Sequence, residues 1–145
     1  MSILSWLLIG GICFIVVKSV AEFINGGLNK SNERMTEGRF SVEIFYTLLI
    51  TYSIVIIGFG LIYFILSFQG IILVEGDELR KVGKLGSLIH SFYFSGVTIL
   101  TIGYGDIVPI GIGRLVALIQ ALIGYILPTA FVLRLVIKTQ EKVEE

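Results

Sequence analysis

The chain has few of the side chains on which most enzymes and metal sites depend. Its 145 residues include a single histidine, His90, and a single cysteine, Cys13. One cysteine excludes an intramolecular disulfide, and together these residues offer no cluster for a thiolate or imidazole metal site. No nucleophile–base or acid–base pair is visible within an apolar pocket. The sequence therefore predicts neither an enzyme nor an organic cofactor.

Charge is scarce as well as balanced. Charged residues make up 15% of the chain, whereas a soluble domain carries roughly a quarter. Basic and acidic residues number 11 each, so the formal net charge of zero gives no electrostatic support for nucleic-acid binding. Hydrophobic residues reach 55%, and the mean hydropathy is +0.94. This balance predicts an all-α integral membrane protein, because helices pair their own backbone groups in lipid.

The hydrophobic residues fall into separate runs. Residues 44–68 contain no charge over 25 positions, about 37 Å of helix, which is enough to cross a bilayer. A second span is predicted over residues 115–133. Residues 3–17 are short for a span. A short transmembrane or interfacial helix over residues 3–24 is favoured over a cleaved signal, because no basic residue precedes the run. Residues 25–41 are predicted to form a polar loop or short surface helix.

Between the two long runs lies a shorter apolar stretch, residues 88–100. Its length of about 13 residues suits a re-entrant helix rather than a span. It leads into residues 99–109, ILTIGYGDIVP. Irregular backbone at membrane depth is tolerated only where it is buried in protein or lines a wet cavity. Gly103 and Gly105 permit positive φ angles, which let successive carbonyls point to one side and replace the water shell of a cation.

This arrangement resembles the pore domain of tetrameric potassium channels. The signature of that family, Thr-Val/Ile-Gly-Tyr-Gly-Asp, stands here as Thr101-Ile102-Gly103-Tyr104-Gly105-Asp106. The likeness extends from an outer helix through a charged loop and a pore helix to the start of an inner helix. It covers roughly residues 42–136, which it implies to be a pore domain. Residues 1–41 fall outside it and are predicted to be an N-terminal hydrophobic helix and a linker. The filter orientation that the resemblance implies places this linker and a short tail (137–145) in the cytoplasm.

The resemblance implies a homotetramer in the cell membrane that conducts potassium passively through a fourfold selectivity filter. Potassium would be coordinated by backbone carbonyls, with the Thr101 hydroxyl, at Thr101, Ile102, Gly103, Tyr104 and Gly105. Residues at matching positions would support the filter: Tyr93, Phe94, Val97 and Asp106. The inner helix would hinge at Gly124 and Pro128. The cavity would be lined by Ala121, Tyr125, Pro128 and Val132.

The support of the filter departs from the family pattern. Two pore-helix positions that are tryptophan in well-known members are Tyr93 and Phe94 here. Tyr93 keeps a hydroxyl that could bond Asp106, whereas Phe94 has no donor for Tyr104. Some members place a glutamate behind the filter, and that position is Val97 here. We therefore expect a filter supported by packing more than by polar bonds.

The inner helix carries two weak points in one turn. Pro128 cannot donate to the carbonyl four residues earlier, which belongs to Gly124. A hinge is the preferred interpretation, and close helix packing is the alternative. Gln120 is expected to hydrogen-bond between helices rather than to line the pore.

Three alternatives stay open at this stage. A weakly selective cation channel and a non-conducting pore-forming or regulatory subunit would share the fold. A phosphate-binding loop is disfavoured, because its glycines would precede a helix and a lysine, whereas here they follow a helix and precede Asp106. No helix carries arginine at every third position, so no voltage sensor is expected. The gating stimulus, the physiological role and any separate regulatory subunit are not indicated.

Overall fold

The protein is mostly helical. The computed structural model describes residues 3–25, 37–70, 72–75 and 84–141. Its elements in chain order are α1 (Ile3–Asn25), α2 (Glu37–Ser67), β1 (Leu73–Glu75), α3 (Lys84–Ile99), β2 (Ile107–Pro109) and α4 (Ile112–Glu141).

Three of the described helices are long and apolar enough to cross a membrane. The spans are Ile3–Asn25, Ile44–Ser67 and Ile112–Leu133, each of which exceeds the roughly 30 Å hydrocarbon core at about 1.5 Å per residue. Helix α3 has 16 residues and reaches only about 24 Å, too short to span. The prediction of an all-α, multi-pass membrane protein is therefore confirmed.

The first helix is longer than its uncharged run. Helix α1 continues without a break past Lys18 to Asn25. Lys18 Nζ lies 3.7 Å from Glu22 Oε1 one turn later, with both side chains exposed. Two opposite charges four residues apart support a helix, so the charges that end the apolar run do not end α1.

The other helices also extend beyond their apolar runs. Helix α2 begins at Glu37, so the predicted boundary between residues 41 and 42 lies inside a helix. The rest of the predicted 25–41 linker, residues 26–36, lies outside the described residues. Helix α4 runs from Ile112 to Glu141, because polar residues beyond the lipid core can continue a helix.

Helices α1 and α2 form an antiparallel pair. Val16 lies directly against Gly58, where a Cβ would overlap the Val16 side chain. Toward the other end of the pair, Phe23 is buried in a cluster with Leu48. A small residue that lets two backbones approach closely is the usual contact between membrane helices.

Helix α3 lies between α2 and α4. The buried cluster that joins them includes Tyr63, Phe94 and Ile99. The ring of Phe92 approaches the position of a Cβ on Gly60 to 3.1 Å. This close packing fixes the direction in which α3 delivers the residues that follow it.

The fold also contains a short pair of strands, which the sequence did not suggest. Strands β1 and β2 pair antiparallel, with Leu73 opposite Pro109 and Glu75 opposite Ile107. The amide of Ile110 also donates to the carbonyl of Ile72 at 2.8 Å. The segment after α2 is thereby tied to the segment that leads into α4.

Candidate functional site

The candidate site is the extended stretch between α3 and β2, residues 101–106, here called the signature segment. Its φ angles are +57° at Thr101, +58° at Gly103 and +78° at Gly105, whereas Ile102 and Tyr104 keep negative values. Alternating signs of φ turn successive carbonyls toward the same side. Glycine adopts positive φ without steric cost, but a β-branched residue rarely does, and such outliers concentrate at functional sites.

The amides of the first half of the segment turn back toward α3. The Ile102 and Gly103 amides both donate to the carbonyl of Val97, at 2.9 and 3.2 Å. The Thr101 amide donates to the carbonyl of Thr98 at 3.1 Å. Val97 therefore supports the segment through its backbone oxygen, whereas its side chain is buried.

The other side of the segment is open within one chain. Residues 101–106 are all exposed, and Tyr104 is 70% exposed. A Cβ at Gly103 or Gly105 would meet no atom within 4 Å. Among the described residues, no donor reaches the carbonyls of residues 101–105. A row of unengaged carbonyl oxygens is a set of hard ligands suited to a cation.

The C-terminal end of the segment is fixed by polar contacts. The Tyr93 hydroxyl donates to Asp106 Oδ2 at 2.7 Å, and the Ile107 amide donates to Asp106 Oδ1 at 3.0 Å. The bond from Tyr93 holds the pKa of Asp106 below its ordinary value. The structure thus brings together Tyr93 and Asp106, whose contact the sequence analysis anticipated.

Behind the segment, a buried polar network joins α2, α3 and α4. The Tyr63 hydroxyl donates to Gln120 Oε1 at 2.9 Å. Gln120 Nε2 donates to the Ser95 carbonyl at 2.9 Å and to Ser95 Oγ at 2.7 Å, and Ser95 Oγ donates to the Ile56 carbonyl at 2.9 Å. The Phe94 ring packs edge-to-face on Tyr63, with centroids 5.1 Å apart. The interhelical role expected of Gln120 is confirmed.

The inner face of α4 is held against α3 at Gly124. A Cβ at this position would overlap the carbonyl oxygen of Ile99, so only glycine permits the observed approach. The buried residues of α4 recur at helical spacing: Gly113, Gln120, Gly124 and Leu127. This geometry supports the packing interpretation of Gly124, and the hinge stays a prediction.

The face of α4 beside this buried one carries the predicted cavity residues. Tyr125 is 72% exposed and Val132 is 56% exposed within one chain. Pro128 is also exposed, and Ala121 is half-buried. The exposed members of this set, Tyr125, Pro128 and Val132, are available to a cavity or to another copy of the chain.

Sequence reasoning missed several residues that support the site. Tyr63 and Ser95 complete the network around Gln120, and Tyr52 contacts α4 from the middle of α2. The signal available in the sequence was a tyrosine inside an uncharged run, because its buried hydroxyl needs a hydrogen-bond partner. It did not identify partners that lie 57 and 72 residues away.

Comparisons with known proteins agree with this architecture. A family model described as an ion channel matches residues 50–141. Protein LctB of Bacillus caldotenax is 38% identical over 99 residues, which cover 68% of this chain and 74% of that protein. Protein LctB of Geobacillus stearothermophilus is 37% identical over 105 residues, or 72% of this chain and 78% of the relative. No solved structure matches the chain.

Proposed function

Because the chain belongs to the ion channel family, we propose that it is a potassium-selective channel that conducts K⁺ passively down its electrochemical gradient. The observation that carries the proposal is the alternation of φ at Thr101, Gly103 and Gly105. The Ile102 and Gly103 amides bond to α3, which supports carbonyls of residues 101–105 that would face the opposite side. They would coordinate dehydrated K⁺ in single file, together with the Thr101 hydroxyl.

The mechanism is substitution of the water shell. A ring of peptide oxygens replaces the hydration of a permeating ion, and adjacent sites let ions displace one another. One chain supplies one strand of oxygens, which surrounds an ion on one side only. Four copies around one axis would complete the cage. The exposure of residues 101–106 and of Tyr125 and Val132 within one chain supports such a homotetramer.

Helix α3 would assist conduction electrostatically. Its C-terminal end lies immediately before the signature segment. The last carbonyls of a helix carry a partial negative charge equivalent to about half an elementary charge. In a fourfold assembly, four such ends would favour a cation below the filter. Tyr93, Phe94, Val97 and Asp106 would hold the filter through the contacts described above.

The test is flux through purified protein in liposomes. We expect K⁺ flux well above Na⁺ flux, and a single-channel reversal potential close to the K⁺ equilibrium potential under a potassium gradient. Equal fluxes of the two ions would indicate the alternative of a weakly selective cation channel. Absence of flux from correctly inserted protein would indicate a non-conducting or regulatory subunit.

Subunit count provides a separate test. Chemical cross-linking or a mass measurement in detergent should give four copies per particle. A protein that is monomeric in lipid would contradict the proposal, since a single strand of carbonyls cannot enclose an ion.

A further inference from the structure

The proline of α4 leaves one backbone oxygen without its helical donor. Residue 128 has no N–H, so the carbonyl of Gly124 cannot be paired in the usual way within the helix. An unpaired carbonyl inside the hydrocarbon core is costly. Helix α4 nevertheless continues through this turn to Glu141, so a substitute donor is required.

The substitute comes from another helix. The hydroxyl of Tyr52, on α2, lies 3.3 Å from the Gly124 carbonyl oxygen and donates to it. The two residues are 72 positions apart. The Tyr52 ring packs against both buried clusters of the protein, including the one that contains Phe23 and Leu127. Packing on these sides holds the ring so that its hydroxyl reaches the oxygen.

We propose that Tyr52 is a positioning residue for the inner helix: its hydroxyl replaces the N–H that Pro128 lacks and holds the turn of α4 between Gly124 and Pro128 in its present conformation. This hydrogen bond is here called the latch. The proposal rests on the proposed channel function for its consequence, which is control of gating. Its structural core, the substitution of a hydroxyl for a missing amide, is independent of conduction.

The turn of α4 that contains Gly124 and Pro128 also contacts the residues that precede the signature segment. Gly124 lies against the Ile99 carbonyl, two residues before Thr101. On the exposed side, Thr129 Oγ1 donates to the Tyr125 carbonyl at 3.1 Å, a type of bond that bends helices. A rotation of the part of α4 that follows Pro128 about this turn breaks the hydrogen bond between the Tyr52 hydroxyl and the Gly124 carbonyl. The same rotation changes the surface of α4 that contacts the end of α3.

The hydrogen bond between Tyr52 and Gly124 is weak enough to break and re-form while the protein stays folded. A single neutral hydrogen bond between membrane helices contributes little net free energy. Loss of this hydrogen bond therefore shifts an equilibrium between two conformations of α4 at this turn without unfolding the protein. The expected shift is about three- to tenfold in the ratio of the two states.

The test is a cycle of four proteins: the natural chain, Tyr52→Phe, Pro128→Ala and the double variant. Alanine at position 128 restores the N–H that can pair with the Gly124 carbonyl, so the Tyr52 hydroxyl becomes dispensable. Tyr46→Phe is the matched control, because Tyr46 lies on the same helix and is exposed. Single-channel open probability in planar bilayers and thermal unfolding in detergent are measured for each protein.

In the proline background, we expect Tyr52→Phe to change the ratio of open to closed probability by about three- to tenfold. In the alanine background, the same substitution should leave the ratio almost unchanged, and Tyr46→Phe should have no effect. No change with proline at position 128, or an equal change in both backgrounds, would overturn the proposal.

The unfolding measurement separates the latch from the channel function. If the natural chain carries no current, the proposed function fails, and the latch is judged from the unfolding cycle alone. Destabilisation by Tyr52→Phe only in the proline background supports it, and equal destabilisation in both backgrounds refutes it. If Tyr52→Phe yields no folded protein, recovery of folding in the double variant supports the latch, and failure of the double variant refutes it.

Discussion

The signature segment and the buried network behind it satisfy their polar groups in opposite ways. In the network, the Gln120 amide has a partner for its oxygen and for its nitrogen. Helices α2, α3 and α4 each contribute a residue. In the signature segment, the amides of Ile102 and Gly103 are engaged by α3, and within the described chain no donor reaches the carbonyls on the other side. The polar groups of the network are paired within one chain, whereas the carbonyls of the signature segment are not.

This difference separates stability from function. Buried polar groups that are fully paired fix one arrangement of helices. Unpaired carbonyls held by that arrangement stay available to an ion or to water. Because α3 carries both the network residue Ser95 and the Val97 carbonyl, it transmits the rigidity of the scaffold to the open segment.

The largest effect is expected from Gly103→Ala. A Cβ there meets no atom within 4 Å in the same chain, but φ is +58°, a conformation that alanine resists. We expect the signature segment to lose its alternating signs of φ, because alanine at positive φ adds a strain of about 1–2 kcal/mol in each chain. K⁺ flux into liposomes should therefore fall at least about tenfold.

The matched control is Gly96→Ala. Gly96 also has open space around it, but it lies in α3, where alanine is favoured over glycine. Flux should be preserved in this variant. Unaltered permeation through the Gly103→Ala protein would contradict the role given to the signature segment.

The next effect is expected on the scaffold. Gln120→Leu leaves the Tyr63 hydroxyl and the Ser95 carbonyl buried without their partner, so the free energy of unfolding in detergent should fall by about 1–2 kcal/mol. Adding Tyr63→Phe removes one of the stranded groups and should cost less than the sum of the two single changes. Strict additivity in an unfolding titration would show that the network does not act as a unit.

A smaller effect is expected at Val108, just after the signature segment, which the proposed function places at the outer mouth of the pore. Val108 lies on β2 and is exposed. Val108→Tyr should strengthen block by external tetraethylammonium about three- to tenfold, because an aromatic face attracts a quaternary ammonium ion. Val108→Leu is the aliphatic control and should leave block weak. Tight block of the natural chain would contradict this assignment.

The smallest effect concerns pH. The Tyr93 hydrogen bond lowers the pKa of Asp106 from 3.8, so the carboxylate stays ionised at neutral pH and the bond is lost only as pH falls through the lowered pKa. Tyr93→Phe should return this pKa toward its ordinary value. The loss of current on acidification should therefore begin at a higher pH, with a change of about twofold or less at neutral pH. An identical pH profile for both proteins would refute the coupling.

Much of the architecture follows from the sequence. Uncharged runs identified α2 and α4 as spans, and the short run before the signature predicted a helix that does not cross. The glycines at 103 and 105 predicted positive φ, which the structure has at both. These features are local, since each depends on residues adjacent in the chain.

The features that could not be predicted depend on distant partners or on the backbone. Thr101 has positive φ although its side chain is β-branched. Val97 was singled out for its side chain, but its carbonyl makes the supporting contacts. The pairing of Leu73 with Pro109 joins two three-residue strands that are too short to leave a periodic pattern. Hydropathy also placed the start of α2 too close to its apolar core, because Glu37 is compatible with a helix.

The close contact between Val16 on α1 and Gly58 on α2 has a consequence for how the protein is inserted and folded. The two helices that it joins are neighbours in sequence, and local contacts form before distant ones. A hairpin of α1 and α2 can therefore be complete in the bilayer while α3 and α4 are still being synthesised. Helices α3 and α4 then pack against this preformed pair, and the carbonyls of the signature segment are ordered last.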